Sequence, residues 1–408
     1  MASMKIIATI GPACSDPETL KGMVRAGLNN VRINTAHIEK GYITKIRKMV
    51  DQVNEETKAS VGIMVDLKGP ELRTRAYDGG GRMEIKAGNT YRFSDDESDP
   101  RNIGVNYLNV IDTLEPGDLI LVSDGKITLR VVQKSGNTVE VKALDSGGVI
   151  RDRGGRINIP GKVLNLGVTT ERDELFIKEG IEAGGVEFFA LSFVQTRENV
   201  EELQELVMSQ GGDQLIVSKI ETKSGLQNIS DISRVSDFIM VARGGDLGGV
   251  EMPLEEVIVA QKQIIRESHK HGVPTIVATQ VLESMVSNPV PTRAEVSDVT
   301  NAILDNADVL MLSEETAIGK YPVESVEYLK NISEYVERSY GNFAGPEEFL
   351  GNRIAYSIAM AARVVASEIR AAGILAFTQS GNTAKMLSAV RPPCPVYAVT
   401  TNRRCRPA

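Results

Sequence analysis

Residues 215–222 read LIVSKIET, a short β-branched run that is mostly apolar and then carries Lys219 and Glu221 at its C-terminal end. A run that is apolar throughout, rather than alternating, is what a strand buried on both faces of a parallel sheet requires. Seven further runs share the pattern: KIIATI (5–10), NVRINT (30–35), SVGIMVDL (60–67), VEFFALSFV (186–194), DFIMVAR (237–243), PTIVAT (274–279) and DVLMLS (308–313). Amphipathic segments stand between them, among them 16–26, 171–183, 197–209, 254–271, 293–306 and 322–339. Strand and helix in alternation predict βαβ units, and eight such units predict an α/β fold closed into a (β/α)8 TIM barrel.

One gap breaks the alternation. Residues 71–161 carry short strands punctuated by DGGGR, KAGNT, EPGD, SDGK and KSGNT, the turn chemistry of an inserted small β-barrel domain. Gly/Pro pairs in LKGPELRT and NIPGK flank it and predict a hinged lid over the barrel mouth. The expected division is a barrel from 1–70 and 162–344, a β lid from 71–161, and an incomplete C-terminal α/β unit from 345–408.

Composition narrows the function classes. A chain of 408 residues exceeds one ordinary core. Its 54 acidic and 46 basic residues leave a net charge of −8, which offers no broad attraction to nucleic acid or an anionic membrane. Three widely spaced cysteines, Cys14, Cys394 and Cys405, argue against a disulfide framework or structural zinc. With no export-type leader and no apolar run of spanning length, a cytoplasmic location is expected.

Catalytic groups of such barrels stand at the C-terminal ends of the strands. There this chain places Arg32 and Asn34, Asp66 and Lys68, Ser192, Lys219 and Glu221, Arg243 with Gly244, Gly245 and Asp246, Thr279 and Gln280, and Ser313 with Glu314 and Glu315. Any one of these alone reads as a solvated loop charge. Cations beside a pair of carboxylates able to hold Mg2+ are together what phosphoryl transfer needs. The Gly244–Gly245 step leaves backbone N–H groups open to an anion, or is a plain turn.

The stretches ATIGPAC, RINTAH, VDLKGPELRT, NIPGK, SFVQ, SKIET, MVARGGDLGG, ATQVLESM, NPVPTRAEVSDV and ADVLMLSEETAIGKYPVESV resemble the pyruvate kinase family in order and spacing. The resemblance implies transfer of the phosphoryl group of phosphoenolpyruvate to ADP. It implies Mg2+ (or Mn2+) on Glu221 and Asp246, with Lys219 stabilising the phosphoryl group in flight and Arg32 contacting phosphate. The substrate carboxylate would accept from the backbone at Gly244, Gly245 and Asp246 and from Thr279. Arg73, Asn34, His37 and Tyr42 would face the nucleotide, and Asn34, Asp66 and the Leu67 carbonyl would hold K+. A phosphorylated effector at TQSGNT (378–383) and a homo-oligomer, by resemblance a tetramer, are further implications.

Four positions depart from the family pattern. Ala36 replaces a Ser, GGDLGG has an extra Gly on each side, SEET brings Glu314 to the mouth, and Arg156 stands near the place of a lysine before NIPG. His269 and His271 are expected to face solvent, and TQSGNT could equally be a helix cap. Two rival readings are a metal-dependent barrel lyase or aldolase acting on pyruvate-like enolates, and a non-catalytic pyruvate-kinase-like sensor. A lid carrying Arg73 argues against the first, and an assay for pyruvate with and without ADP separates all three.

Overall fold

The computed structural model describes residues 4–74, 83–94, 102–107, 109–123, 125–136, 138–144, 148–150, 155–244, 247, 250–340 and 345–401. Eight parallel strands close into a barrel: β1 (Lys5–Thr9), β2 (Asn30–Asn34), β3 (Gly62–Asp66), β4 (Phe188–Leu191), β5 (Leu215–Ile220), β6 (Phe238–Ala242), β7 (Thr275–Ala278) and β8 (Val309–Leu312). Each lies within one of the apolar runs read from the sequence, and β1 closes the ring on β8.

Helices Pro17–Ala26, Glu171–Ala183, Arg197–Ser209, Leu254–Lys270, Arg293–Leu304 and Pro322–Tyr340 follow the predicted amphipathic segments. Two crossovers were not among them. Helix Tyr42–Thr57 links β2 to β3 and buries Ile43, Ile46, Val50 and Val53, a helical stripe. Between β5 and β6 the crossover is split at Asn228 into Lys223–Gln227 and Ile229–Val235.

The period of two along each strand builds two separate apolar layers. Ile6, Ala8, Val31, Ile33, Ile63 and Val65 join the layer shared with the helices. Ile7, Met64, Ala190, Val217, Met240, Ile276 and Met311 fill the barrel interior. Two residues beyond these inward positions come Thr9, Asp66, Ser192 and Lys219, all buried. The polar floor of the mouth is thus the next inward layer of the same strands.

Within the insert, a six-stranded sheet runs in the order Ile157–Asn158, Leu119–Val122, Ile127–Ser135, Thr138–Ala143, Thr90–Phe93 and Asn102–Ile103. Gly148–Ile150 pairs antiparallel with Met83–Ile85. These strands share an apolar cluster of their own, from Leu72 to Ile159. The two linkers bridge each other at Arg73 and Arg156.

Beyond the barrel, helices Arg353–Glu368 and Asn382–Ala389 accompany the parallel strands Ile374–Phe377 and Val396–Val399. This unit meets the N-terminal end of the barrel. Arg391 Nη2 lies 2.7 Å from Asp308 Oδ1, and the Leu350 amide donates to the Lys270 carbonyl at 2.7 Å. Asp308 also receives His269 Nε2 at 2.9 Å, so His269 is an interface residue rather than a solvated one. His271, equally expected in solvent, is half-buried, with Nε2 3.0 Å from Ser230 Oγ.

In TQSGNT the Gly381 amide donates to Thr378 Oγ1 at 2.9 Å, and helix Asn382–Ala389 begins after Gly381 with no side-chain cap. Among the described residues no helix is long and apolar enough to cross a membrane.

Candidate active site

Asp66, the last residue of β3, sits at the centre of the mouth. Register places Arg32 beside Thr9 on one side, and sets Asn34 and Ala190 opposite Asp66. Arg32 Nε donates to Asp66 Oδ2 at 2.7 Å, and its Nη1 donates to Thr9 Oγ1 at 3.0 Å. From the other side Lys219 Nζ donates to Asp66 Oδ1 at 3.0 Å and to Ser192 Oγ at 2.7 Å, and stands 3.3 Å from Glu221 Oε1. Ser192 Oγ in turn donates to the Leu67 carbonyl at 2.7 Å.

Burial alone would push the Asp66 carboxyl up, but the charges of Lys219 and Arg32 hold it below the usual carboxylate range. Burial would likewise lower the Lys219 ammonium, yet Asp66 and Glu221 raise it above its ordinary value. Lys219 is therefore a committed cation, fixed in direction by three oxygens. Glu221 is oriented by the Phe193 amide, which donates to Oε2 at 2.8 Å.

Across the mouth, Thr279 and Gln280 have φ of +66° and +52°, a left-handed pair that a β-branched residue rarely adopts. Arg243 stabilises that turn. Its Nη2 donates to the Thr279 and Gln280 carbonyls at 3.0 and 3.1 Å, and its Nη1 meets Asp298 Oδ2 at 2.5 Å. Gly244 lies against Thr279, where an added Cβ would come within 3.2 Å of the Thr279 Cβ. Strain kept in place at the end of a barrel strand points to a working position.

Of the residues expected from sequence, Arg32, Asp66, Leu67, Lys219 and Glu221 form one network, and Thr279 and Gly244 form a second. Gly245 and Asp246, with the rest of the doubled glycines, lie outside the described residues. Asn34 uses its Oδ1 to cap the Ala36 amide at 3.1 Å, starting a 3-10 turn that ends at exposed His37. Tyr42 is half-buried, and burial pushes its hydroxyl pKa up. Arg73 Nη1 reaches Glu71 Oε2 at 3.0 Å on the incoming linker, which also holds Lys68 at 3.2 Å.

Glu315 is not free at the mouth. It accepts the Leu282 amide at 2.9 Å and the Ser313 amide at 2.7 Å, while Glu314 stays exposed. Thr9 and Asp298 escaped the sequence reading, although Thr9 is the one hydroxyl in the first apolar run and ends β1.

No set of three or more His, Cys, Asp or Glu that could hold a metal occurs among the described residues. Mg2+ usually takes one or two protein carboxylates and completes its shell with substrate oxygens and water, a pattern Glu221 fits. For a monovalent cation, the Asn34 Oδ1 and Leu67 carbonyl oxygens each accept one hydrogen bond and keep a second lone pair.

A closed parallel barrel with a buried lysine and a half-buried arginine braced on one carboxylate defines a class: a (β/α)8-barrel enzyme with a cationic, carboxylate-lined mouth. The family profile described as pyruvate kinase, barrel domain, matches residues 1–326, and that described as pyruvate kinase, alpha/beta domain, matches residues 356–407. The chain belongs to the pyruvate kinase family, and is a phosphotransferase.

Pyruvate kinase of Thermoplasma acidophilum is 53% identical over 398 residues, covering 98% of this chain and 70% of the relative. That of Clostridium perfringens is 36% identical, covering 100% and 86%. The crystal structure of pyruvate kinase from Pyrobaculum aerophilum superposes with a TM-score of 0.88 at 30% identity, covering 99% of this chain and 88% of that one. Another from Cryptosporidium parvum gives 0.88 at 32% identity, covering 99% and 84%.

Proposed function

We propose that this chain catalyses transfer of the phosphoryl group of phosphoenolpyruvate to ADP, giving pyruvate and ATP. The observation that carries the reading is Lys219: a buried ammonium held by Asp66, Ser192 and Glu221 at the head of the interior layer. The P–O bond to the enol oxygen breaks, a new P–O bond forms to a β-phosphate oxygen of ADP, and the enolate takes a proton on carbon.

In this scheme Lys219 and Arg32 face the charge spread over the phosphoryl oxygens. Both are already oriented by Asp66, so little reorganisation accompanies the reaction. Thr279, with the backbone at 244–246, holds the substrate carboxylate, and Arg73, Asn34, His37 and Tyr42 stand on the nucleotide side. Glu221 with Asp246 would hold Mg2+ (or Mn2+), and Asn34, Asp66 and the Leu67 carbonyl would hold K+. Bound there, the divalent ion neutralises phosphoryl charge and aligns donor and acceptor.

A homo-oligomer is part of the proposal. Helix Arg353–Glu368 leaves Ile354, Ile358 and Val365 exposed, more apolar surface than one isolated helix face normally shows to water. A phosphorylated effector at 378–383 and a cytoplasmic location are proposed on the family likeness. The testing experiment measures pyruvate and ATP formed from phosphoenolpyruvate with and without ADP. Equal amounts of both products, formed only with ADP, support the reading. Pyruvate without ADP favours a lyase-type enzyme, and no product favours a sensor.

A further inference from the structure

The two linkers of the insert are paired with each other, and each is also held by the barrel. On the incoming side, Lys68 and Arg73 pair with Glu71, and their side chains are 45% and 39% exposed. The backbone of this linker is held as well: the Lys68 amide donates to Asp173 Oδ1 at 3.0 Å and to Thr35 Oγ1 at 3.1 Å, and the Leu72 carbonyl accepts the Ile157 amide of the returning linker at 2.8 Å. The returning linker meets a buried clamp of its own.

Gln195, just after β4, accepts the Leu164 amide on Oε1 at 2.8 Å and donates from Nε2 to the Lys162 carbonyl at 3.1 Å. One side-chain amide thus satisfies both polar groups of a passing backbone, as a neighbouring strand would. Gln195 is itself fixed, since its backbone N–H donates to Asn199 Oδ1 at 3.1 Å and its backbone carbonyl accepts Asn228 Nδ2 at 2.8 Å.

Glu251 makes the second hold. Its Oε2 accepts the Lys223 amide at 3.2 Å, two residues beyond Glu221, and its Oε1 receives a longer contact from Asn158 Nδ2 at 3.4 Å. Asn158 belongs to the last strand of the insert. Glu71, Asn158, Leu164, Gln195, Thr222 and Glu251 all line one cavity of about 60 Å³ at this junction. On the same side the Arg156 guanidinium lies 5.1 Å from the centre of the Phe193 ring.

We propose that Gln195 and Glu251 are positioning residues that make the returning linker, with the incoming linker paired to it, the fixed pivot of the insert. The clamp sets the angle of the insert and of Arg73, which is bridged to Arg156 on the returning linker, so it acts on nucleotide use and leaves phosphoenolpyruvate binding alone. This rests on the reading of the reaction given above. Substrate held by barrel residues does not sense the pivot, whereas a partner delivered by the insert does.

The test compares the parent with Gln195→Ala, Gln195→Glu and Glu251→Gln. It measures kcat, KM for ADP, calorimetric Kd for Mg2+–phosphoenolpyruvate, and hydrogen exchange at the Leu164 amide. For Gln195→Ala the expected result is a rise of about tenfold in KM for ADP, a phosphoenolpyruvate Kd within twofold of the parent, and Leu164 exchange faster by about tenfold. Gln195→Glu keeps the acceptor but sets an oxygen against the Lys162 carbonyl, and Glu251→Gln sets an amide N–H against a donor. Both milder variants should shift the same constants in the same direction, and they carry the test if Gln195→Ala fails to fold. The proposal is overturned if ADP and phosphoenolpyruvate constants move together, or if neither moves while Leu164 exchange accelerates. An inactive parent would refute the reaction instead, and unaltered Leu164 exchange in the variants would then overturn the clamp.

Discussion

Lys219 and Asp66 meet at 3.0 Å inside the barrel mouth, and the second oxygen of the same carboxylate is taken by Arg32 at 2.7 Å. One buried anion therefore sets the direction of both cations. Asp66→Asn keeps the shape but leaves two neighbouring cations without their counter-charge. Removing one partner of a buried ionic group costs about 3–5 kcal/mol, so a loss of that size is expected in urea unfolding, together with loss of activity. A change under about 1 kcal/mol would show that the mouth is more hydrated than this packing implies.

Glu221→Ala should act on the metal. A hard cation losing a carboxylate loses charge and geometry together, so the Mg2+ half-saturation should rise at least tenfold. Because the Phe193 amide loses its acceptor too, Glu221→Gln is the companion variant, retaining that hydrogen bond while removing the charge. A Mg2+ titration identical to the parent in both variants would remove Glu221 from the metal site.

The monovalent cation gives a third expectation. Glu71 keeps negative charge near the mouth, held below its usual range by Lys68, Arg156 and Arg73 against the upward push of burial. No lysine occupies that position to substitute for the cation, so activity should require K+. Ala36 offers no hydroxyl, and Ala36→Ser should lower the K+ half-saturation severalfold at constant ionic strength, with tetramethylammonium as the replacement ion. Equal rates in the two salts contradict the requirement, and an unchanged half-saturation contradicts the ligand argument.

Asp308 predicts an acid transition. Burial would raise its carboxyl, but Arg391, His269 and the Thr275 amide bring it down to about 2. A carboxylate lowered on folding contributes stability above its unfolded pKa near 3.9 and loses it as pH falls toward 2. About 1 kcal/mol should disappear between pH 5 and pH 3. Asp308→Asn should lack that component, which comparison of urea midpoints across the range would reveal. Parallel pH profiles would contradict it.

The eight strands were legible because burial on both faces makes their sequences continuously apolar, and Arg32, Asp66 and Lys219 stood out because so many strands end in a polar group together, whereas any one such charge reads as a solvated loop residue. Helix Tyr42–Thr57 was missed although Ile43, Ile46, Val50 and Val53 carried its stripe, since polar residues dominate the rest of the segment. Glu315 and Arg243 looked alike as strand-end charges, yet both turn onto backbone groups and brace loops. The clamp by Gln195 was invisible for a deeper reason: its partners, the Lys162 carbonyl and Leu164 amide, are groups every residue carries. Only tertiary placement selects them.

The central claim is that Lys219 acts on the phosphoryl group in transit. Measuring kcat by pyruvate formation together with the calorimetric Kd of Mg2+–phosphoenolpyruvate in Lys219→Met tests it most directly. An interaction made chiefly in the transition state predicts a fall in kcat of about a thousandfold or more, with Kd within about threefold of the parent. A variant that keeps its kcat, or loses rate only through weakened substrate binding, would contradict the account.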